Sequence, residues 1–382
     1  MGDHQDSGFF TIDVNDQINP GEGYWVFCGD SLNGTDPFTI DVTGPINQGQ
    51  FDFTPTYSVS AGLAQDGWNL IANPYPSAID WDDPSWIKLN IDSTVYIWNT
   101  DVNQYSSYIT GGASVNGGSN IIPMGQAFYV KANLLLPQLI LEETAKYDTT
   151  VSFLRKEQVE DLTVRLKVVQ DANTAESLLR VIPSSTNSFD PRFDAYHFRG
   201  IGDNKTAIYS ETEPQLSINS MPVESSELVQ LKVAGIKGPA KVAYEIDRFK
   251  DDFCVIYIDP ISGEQILLDQ YKGEIEIEFM VSEVDQPIQL LIVRNTEGTA
   301  STCLDILSNN DVEMTDSNPY YNSGHIYFNA NNHFHEVFSV TNTLGLMVVE
   351  GIAKESSIDV SHLAPGAYFL DFMGKKLKFV HL

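Results

Sequence analysis

The chain has 382 residues, with 52 Asp and Glu against 22 Lys and Arg, a formal net charge of −30 and a pI near 4.3. That balance excludes nucleic acid and anionic lipid as partners, because both need a basic footprint, while the length predicts two or three domains that each bury a core. No apolar run reaches the roughly 20 residues of a membrane helix, and "MGDHQDSG" at the start lacks the apolar stretch of a secretory leader.

Residues 1–145 hold all five tryptophans (Trp25, Trp68, Trp81, Trp86, Trp98) and many Gly and Asn, with only Lys88 and Lys131 set against 17 acidic side chains. An internal echo runs through this region. "INPGEGYWVFCG" at 18–29 and "IIPMGQAFYVKA" at 121–132 share a Pro followed by a Gly-x-small-aromatic-aromatic-Val run, which predicts two related strands closing two halves of one unit. The first copy lies so near Met1 that its preceding half is expected upstream.

Residues 146–298 carry 16 of the 22 basic side chains and the cleanest period-two patterning. "LTVRLKVV", "ELVQLKVA", "KVAYEID", "CVIYID" and "EIEIEFMV" each put apolar residues on one face and charges on the other, the signature of half-buried antiparallel strands. Helices are expected only as short pieces, near "QDANTAESLL" or "DPSWIKLN". The polar stretch "RNTEGTASTCLDILSNNDVEMTDSN" then reads as a linker into a last unit within 299–382. The fold class is therefore all-β: tandem antiparallel β-sandwich domains over 1–145 and 146–298, ending in a small Ig-like sandwich. Cys28, Cys254 and Cys303 are far apart and odd in number, and are expected to be isolated buried thiols without a disulfide scaffold or zinc site.

The tail "SVTNTLGLMVVEGIAKESSIDVSHLAPGAYFLDFMGKKLKFVHL" alternates Tyr368, Leu370 and Phe372 with Phe369 and Asp371, so one strand turns an apolar face inward. Pro365-Gly366 suits a tight turn in which glycine accepts positive φ. This stretch resembles the C-terminal sorting domain of proteins exported by the type IX secretion system of Bacteroidetes. The resemblance rests on an N-x-x-G turn at Asn342 and Gly345, on Ile358, Asp359, Ser361, Leu363, Gly366, Tyr368 and Phe369 in spacing, and on a last strand bearing Lys376 and Lys378. Where the family opens with a "YPNP" type motif, this chain has "SNPYYNSGHIYF", keeping Asn318-Pro319. Upstream, "DGWNLIANPYPSAIDWDD", "VYIWN", "FDPRFDAYHFRG" and "LSINSMP" resemble modules that precede such sorting domains in surface proteins.

The resemblance implies export through the periplasm to the outer-membrane surface or beyond, with the type IX machinery as partner and the exposed edge of the last sandwich as a surface for strand addition. Its sorting signal would comprise Asn342, Gly345, Asp359, Leu363, Gly366, Tyr368, Lys376 and Lys378.

For the body of the chain, no G-x-S-x-G elbow, H-E-x-x-H or P-loop occurs. No catalytic residue, cofactor or metal is predicted. His333 and His335 would share one strand face, but two nitrogens are too few for zinc. Asp80, Asp82 and Asp83 read as turn residues. Aromatic faces that pack on sugars are the remaining candidates: Trp81 and Trp86, with Tyr105 and Tyr108 expected to be exposed in a loop, against a competing reading as core. Asn33-Gly-Thr35 and Asn204-Lys-Thr206 match a sequon, while Asp92-Ser93-Thr94 and Asp148-Thr149-Thr150 resemble a bacterial O-glycosylation pattern suited to exposed turns. The expected function is a non-catalytic adhesion protein or structural stalk; the alternative is a carbohydrate-binding or accessory region of a polysaccharide-degrading enzyme.

Overall fold

Every segment of period-two patterning in the middle of the chain forms strand. Leu162–Gln170 alternates buried and half-buried residues along all nine positions, and the other four segments fall on Ser226–Ala234, Gly238–Arg248, Phe253–Ile258 and Lys272–Phe279, with Asp259, Met280 and Val281 beyond the strand ends; Phe253–Ile258 is buried at all six positions and does not alternate. The structure, a computed structural model, describes residues 12–13, 15–26, 44–57, 66–147, 160–200, 204–248, 253–259, 263–268, 270–294, 320–322, 325–327, 337–342, 346–352, 357–372 and 375–381. Among these it is all-β apart from one 3-10 turn at Glu143–Ala145. The two segments expected to be helical are not. "QDANTAESLL" is a hairpin whose Asp171 takes φ 55°, joining Leu162–Gln170 to Asn173–Val181, and "DPSWIKLN" contains the short strand Ile87–Leu89.

The first region sets a five-stranded sheet against a three-stranded one. The first runs Trp68–Ala72, Ala127–Lys131, Thr94–Asn99, Gln104–Ile109, Ser114–Val115; the second runs Phe51–Phe53, Gln138–Leu141, Ile87–Leu89. Their shared core includes Phe53, Tyr75, Trp81, Phe128, Leu139 and Leu141. The echo has a structural meaning, because its two copies flank one strand. Ala127–Lys131 pairs along one side of Trp68–Ala72, and on the other side Gly23 N donates to Leu70 O and Ala72 N to Gly21 O. The glycine common to both copies takes positive φ in each, 80° at Gly21 and 71° at Gly125, a conformation that side chains with a Cβ rarely adopt.

In the middle region the expected two layers form one continuous eleven-stranded sheet that curls around a single core, so that Leu166, Val168 and Val242 pack with Leu231, Val255 and Leu290. Its pairings are antiparallel save one, the parallel contact of Asn173–Val181 with Leu216–Met221. Cys254, buried in this core sheet, is disulfide-bonded, which corrects the expectation of an isolated thiol. The chain's other two cysteines, Cys28 and Cys303, lie outside the described residues. Disulfides persist in oxidising compartments and are rare in the cytosol.

The two regions share a third core. Trp68 lies 4.7 Å from Phe198, 5.2 Å from Tyr96 and 5.4 Å from Tyr196, ring centre to ring centre, and each pair meets edge to face. Polar bonds cross the same seam: Tyr196 N donates to the Tyr96 hydroxyl at 2.9 Å, and Gln104 Nε2 to Thr206 O at 3.0 Å.

The last region is a separate two-layered unit with its own core. Three strands (Tyr320–Asn322, His325–Tyr327, Ser357–Asp359) face four (Met347–Ile352, Val337–Asn342, Gly366–Phe372, Lys375–His381) across Ile326, Ile358, Val340, Leu370 and Phe379. The inward alternation of Tyr368, Leu370 and Phe372 holds.

Since the seam is continuous core, residues 44–294 should melt as one cooperative unit. Tyr96→Phe removes the acceptor of a buried N–H, and should lower the stability of that whole transition by about 1–3 kcal/mol, as read by urea unfolding. Two separate transitions, with only one of them shifted, would show that the seam does not couple the regions.

Candidate functional site

The tryptophan motif is an internal knot. Asn73 spans the turn at its start, donating through Nδ2 to Ser77 O, Ile122 O and Pro123 O at 2.8, 3.2 and 3.0 Å and accepting from Tyr75 N at 3.0 Å. Asp80 Oδ1 accepts from Asp82 N at 2.9 Å and from Asn120 Nδ2 at 2.7 Å. Trp86 Nε1 donates to Asp80 O, Trp81 Nε1 donates to Ser93 O, and the Tyr108 hydroxyl donates to Asp82 Oδ2. The Lys88 ammonium lies 3.6 Å from the centre of the Trp81 ring and donates to Trp81 O at 2.6 Å. Burial lowers Lys88 to about 7, although Asp82, Asp80 and Asp83 pull the other way.

These contacts correct the sugar-platform reading. Trp81 and Trp86 are buried, as are Tyr105 and Tyr108, which are 4% and 3% exposed within the strand Gln104–Ile109 and not in an open loop. A ring packed on both faces by protein offers nothing to a pyranose. Asp80, Asp82 and Asp83 are turn acceptors, as expected.

The seam between the first two regions collects buried charge that sequence reading missed. Lys131 lies 5.1 Å from the ring centres of both Trp68 and Tyr196 and donates to Asp66 O; burial lowers its pKa. Asp92 Oδ1 accepts from Asn133 Nδ2 at 2.8 Å, while its Oδ2 is buried without a hydrogen-bond partner among the described residues. Burial raises Asp92 to about 6, and it raises Asp194 to about 7 even though Asp190 N and Ser220 N both donate to the Asp194 carboxylate. His197, stacked on Tyr209, is lowered by burial to about 3. The signal was present in the sequence as a lysine closing the apolar strand "AFYVK", whose last four residues are buried.

Two modification patterns also fall here. Asp92 and Thr94 are buried, as are Asn204, whose Nδ2 donates to Val102 O and Thr174 O, and Thr206. The expectation of an exposed turn at Asp92-Ser93-Thr94 is therefore wrong, and the sequon at Asn204 is structural. Asn33-Gly-Thr35 and Asp148-Thr149-Thr150 lie outside the described residues, as do His333 and His335.

In the terminal unit the residues expected to form a sorting signal serve turns and core. Asn342 Oδ1 accepts from Leu346 N at 3.0 Å, and Asn342 N donates to Leu346 O at 2.9 Å, closing the N-x-x-G hairpin; Gly345 itself lies outside the described residues. Asp359 Oδ1 accepts from Ser361 N and Oγ at 2.9 and 2.6 Å, and these bonds lower its pKa. Leu363 packs at the edge of the core. The Tyr368 hydroxyl donates to Ala364 O at 2.7 Å, strapping the A-P-G turn, and its ring stacks on Phe379 at 5.6 Å. Gly366 does not take positive φ: it opens the strand Gly366–Phe372, and a Cβ there would meet only the Tyr368 ring at an ordinary 3.5 Å, so the reason given for that glycine is corrected. Lys376 pairs with Asp371 and Lys378 with Phe369, the Lys378 side chain being exposed.

The buried carboxylates fix the sign of a pH dependence. A carboxyl whose pKa is raised on folding binds its proton more tightly in the native state, so between about 4 and 6 the Asp92 contribution falls as pH rises. His197, lowered on folding, acts oppositely between about 3 and 6.5. Asp92→Asn therefore isolates the first effect. Its stability relative to the parent should be better at pH 8 than at pH 3.5 by about 3 kcal/mol, the equivalent of roughly two pH units, measured by urea unfolding at both values. An equal difference at the two pH values would place Asp92 in water.

The family described as a domain of unknown function (DUF8693) matches residues 4–253, running through the seam without interruption, and the family described as a secretion system C-terminal sorting domain matches residues 318–381. No curated protein matches the chain significantly. The second match covers the strands of the terminal unit together with every residue on which the sorting-signal resemblance was built, and no helix among the described residues is long and apolar enough to cross a membrane. The chain belongs to the DUF8693 family and, through its C-terminal sorting domain, is a type IX secretion substrate exported to the cell surface or extracellular space.

Proposed function

We propose that the exported body is a non-catalytic adhesion or stalk segment, and that the Gly366–Tyr368 turn-strand with Lys376 and Lys378 carries the signal by which it is sorted. The observation that supports the first part is the seam. Ligand clefts form preferentially where two units meet, and here that position is filled by Trp68, Tyr96, Tyr196 and Phe198 packed edge to face. A filled seam also transmits load without bending, since packed interiors resist compression. The aromatic and carboxylate groups that suggested sugar chemistry are committed to internal bonds.

The second part rests on local geometry. The Tyr368 strap fixes the turn, and the exposed Lys378 lies one strand away on a rigid sheet.

Deleting residues 318–381 in the native host should leave the protein in the periplasm, as followed by fractionation and surface labelling. Replacing residues 44–294 by an inert spacer ahead of the intact sorting domain should keep surface display while abolishing adhesion of the cells to their substratum. Release of oligosaccharide or peptide products by the purified chain from a substrate panel would overturn the non-catalytic reading.

A further inference from the structure

Open sheets end in edges, and this chain guards nearly all of them. The eleven-stranded sheet ends on one side in Gln265–Leu267, three residues long, and on the other in Lys272–Phe279, whose Glu274, Glu276 and Glu278 are exposed. The five-stranded sheet ends in the two-residue strand Ser114–Val115, the small sheets end in three-residue strands, and the far edge of the terminal sheet carries Lys375, Lys376 and Lys378. Short length and charge are the ordinary means of stopping another chain from adding a strand.

Met347–Ile352 is the least guarded. It is six residues long, pairs only with Val337–Asn342 among the described residues, has a register shift opposite Val340 and Thr341, and carries a single charge, the exposed Glu350, with no Lys, Arg or Pro. Three of its apolar side chains face water, Met347 at 56% exposed, Val348 at 41% and Ile352 at 50%, with Leu346 at 61% just before it, while Val349 packs on the core. On the same sheet, Met347 pairs with Thr341, Thr341 with Phe369, and Phe369 with Lys378, so one row leads from this edge to the exposed sorting-strand lysine.

We propose that the edge Met347–Ile352 is where the outer-membrane export machinery docks, by adding an extended apolar strand of its own to this sheet. The proposal rests on the sorting reading above and adds to Gly366–Tyr368, Lys376 and Lys378 a contact on the opposite edge of the same sheet. Charge points to that occupant. Residues 318–381 contain four Lys against five Asp and Glu, so the unit is nearly neutral on a chain of −30, and recognition through main-chain hydrogen bonds and apolar side chains fits it better than electrostatic capture. The same −30 disfavours a second copy, because edge-to-edge pairing would bring two strongly acidic bodies together.

The test uses the full chain. Val348→Lys combined with Ile352→Lys adds two charges at exposed positions of an edge that has only Glu350; surface export should fall about tenfold or more, with the unprocessed chain retained in the periplasm and the melting temperature of the purified protein unchanged. Export at the parental level would overturn the docking edge. Should the variant melt early, hydrogen exchange on the parental chain decides instead: mixing with detergent-solubilised export complex should protect the amides of 347–352, even in high salt. Protection confined to 366–381 would refute the proposal, and concentration-dependent protection of 347–352 without the complex would assign the edge to a second copy. The deletion of 318–381 separates the two levels, since a trapped deletion with an exported lysine variant sinks only the edge, whereas an exported deletion sinks the sorting reading itself.

Discussion

An all-strand chain must satisfy its backbone across distances in sequence, and that requirement governs this protein from end to end. A helix closes its own hydrogen bonds; a strand needs a neighbour on each side or water. Trp68–Ala72 illustrates the demand, since it is paired by residues 127–131 on one side and by residues 21–23 on the other. The echo between those two segments is the sequence trace of that shared duty, with a left-handed glycine beginning each copy. The eleven-stranded sheet meets the same demand by curling, so that both layers of its core belong to one hydrogen-bonded path.

The seam between the first two regions depends on the same constraint, with charge added. Ala127–Lys131 is covered on both faces, so the Lys131 ammonium has to be held inside, between the Trp68 and Tyr196 rings and the carbonyl of Asp66. Desolvating a cation is costly unless it finds such partners. Asp92 lies close enough to raise the lysine's pKa against the lowering by burial. Buried polar groups with few alternative partners tolerate few alternative packings, so the seam has a defined geometry and the two regions act as one body.

Much of the fold was legible because period-two alternation is a direct imprint of half-buried strands: Leu162–Gln170 shows it in nine consecutive positions. The terminal unit was legible for a second reason, since its turn residues, Asn342, Asp359 and Tyr368, each make the local hydrogen bond that their spacing implies. The aromatic candidates were misread where tertiary packing decides. Gln104–Ile109 is buried at all six positions although it reads "QYSSYI", with serines and a glutamine that suit a loop. Its Gln104 donates to Thr206 O and its Ser106 to Asn116 O, partners about 100 and 10 residues away. Periodicity cannot see a polar side chain satisfied by a distant carbonyl. The Cys254 disulfide was hidden for a similar reason, because spacing along the chain says nothing of approach in space.

The near-neutral terminal unit and the acidic body divide the physical tasks of an exported protein. Self-repulsion across a strongly charged surface keeps the body soluble and discourages adventitious strand pairing. A recognition unit embedded in that surface would be shielded by the same repulsion, so it is placed at the end of the chain, with its own core of Ile326, Val340, Leu370 and Phe379 and few acidic side chains. An edge with one charge, Glu350, among exposed apolar residues is costly for solubility. A folded address that is read through its backbone needs such an edge, and the opposite edge of this sheet carries Lys375, Lys376 and Lys378.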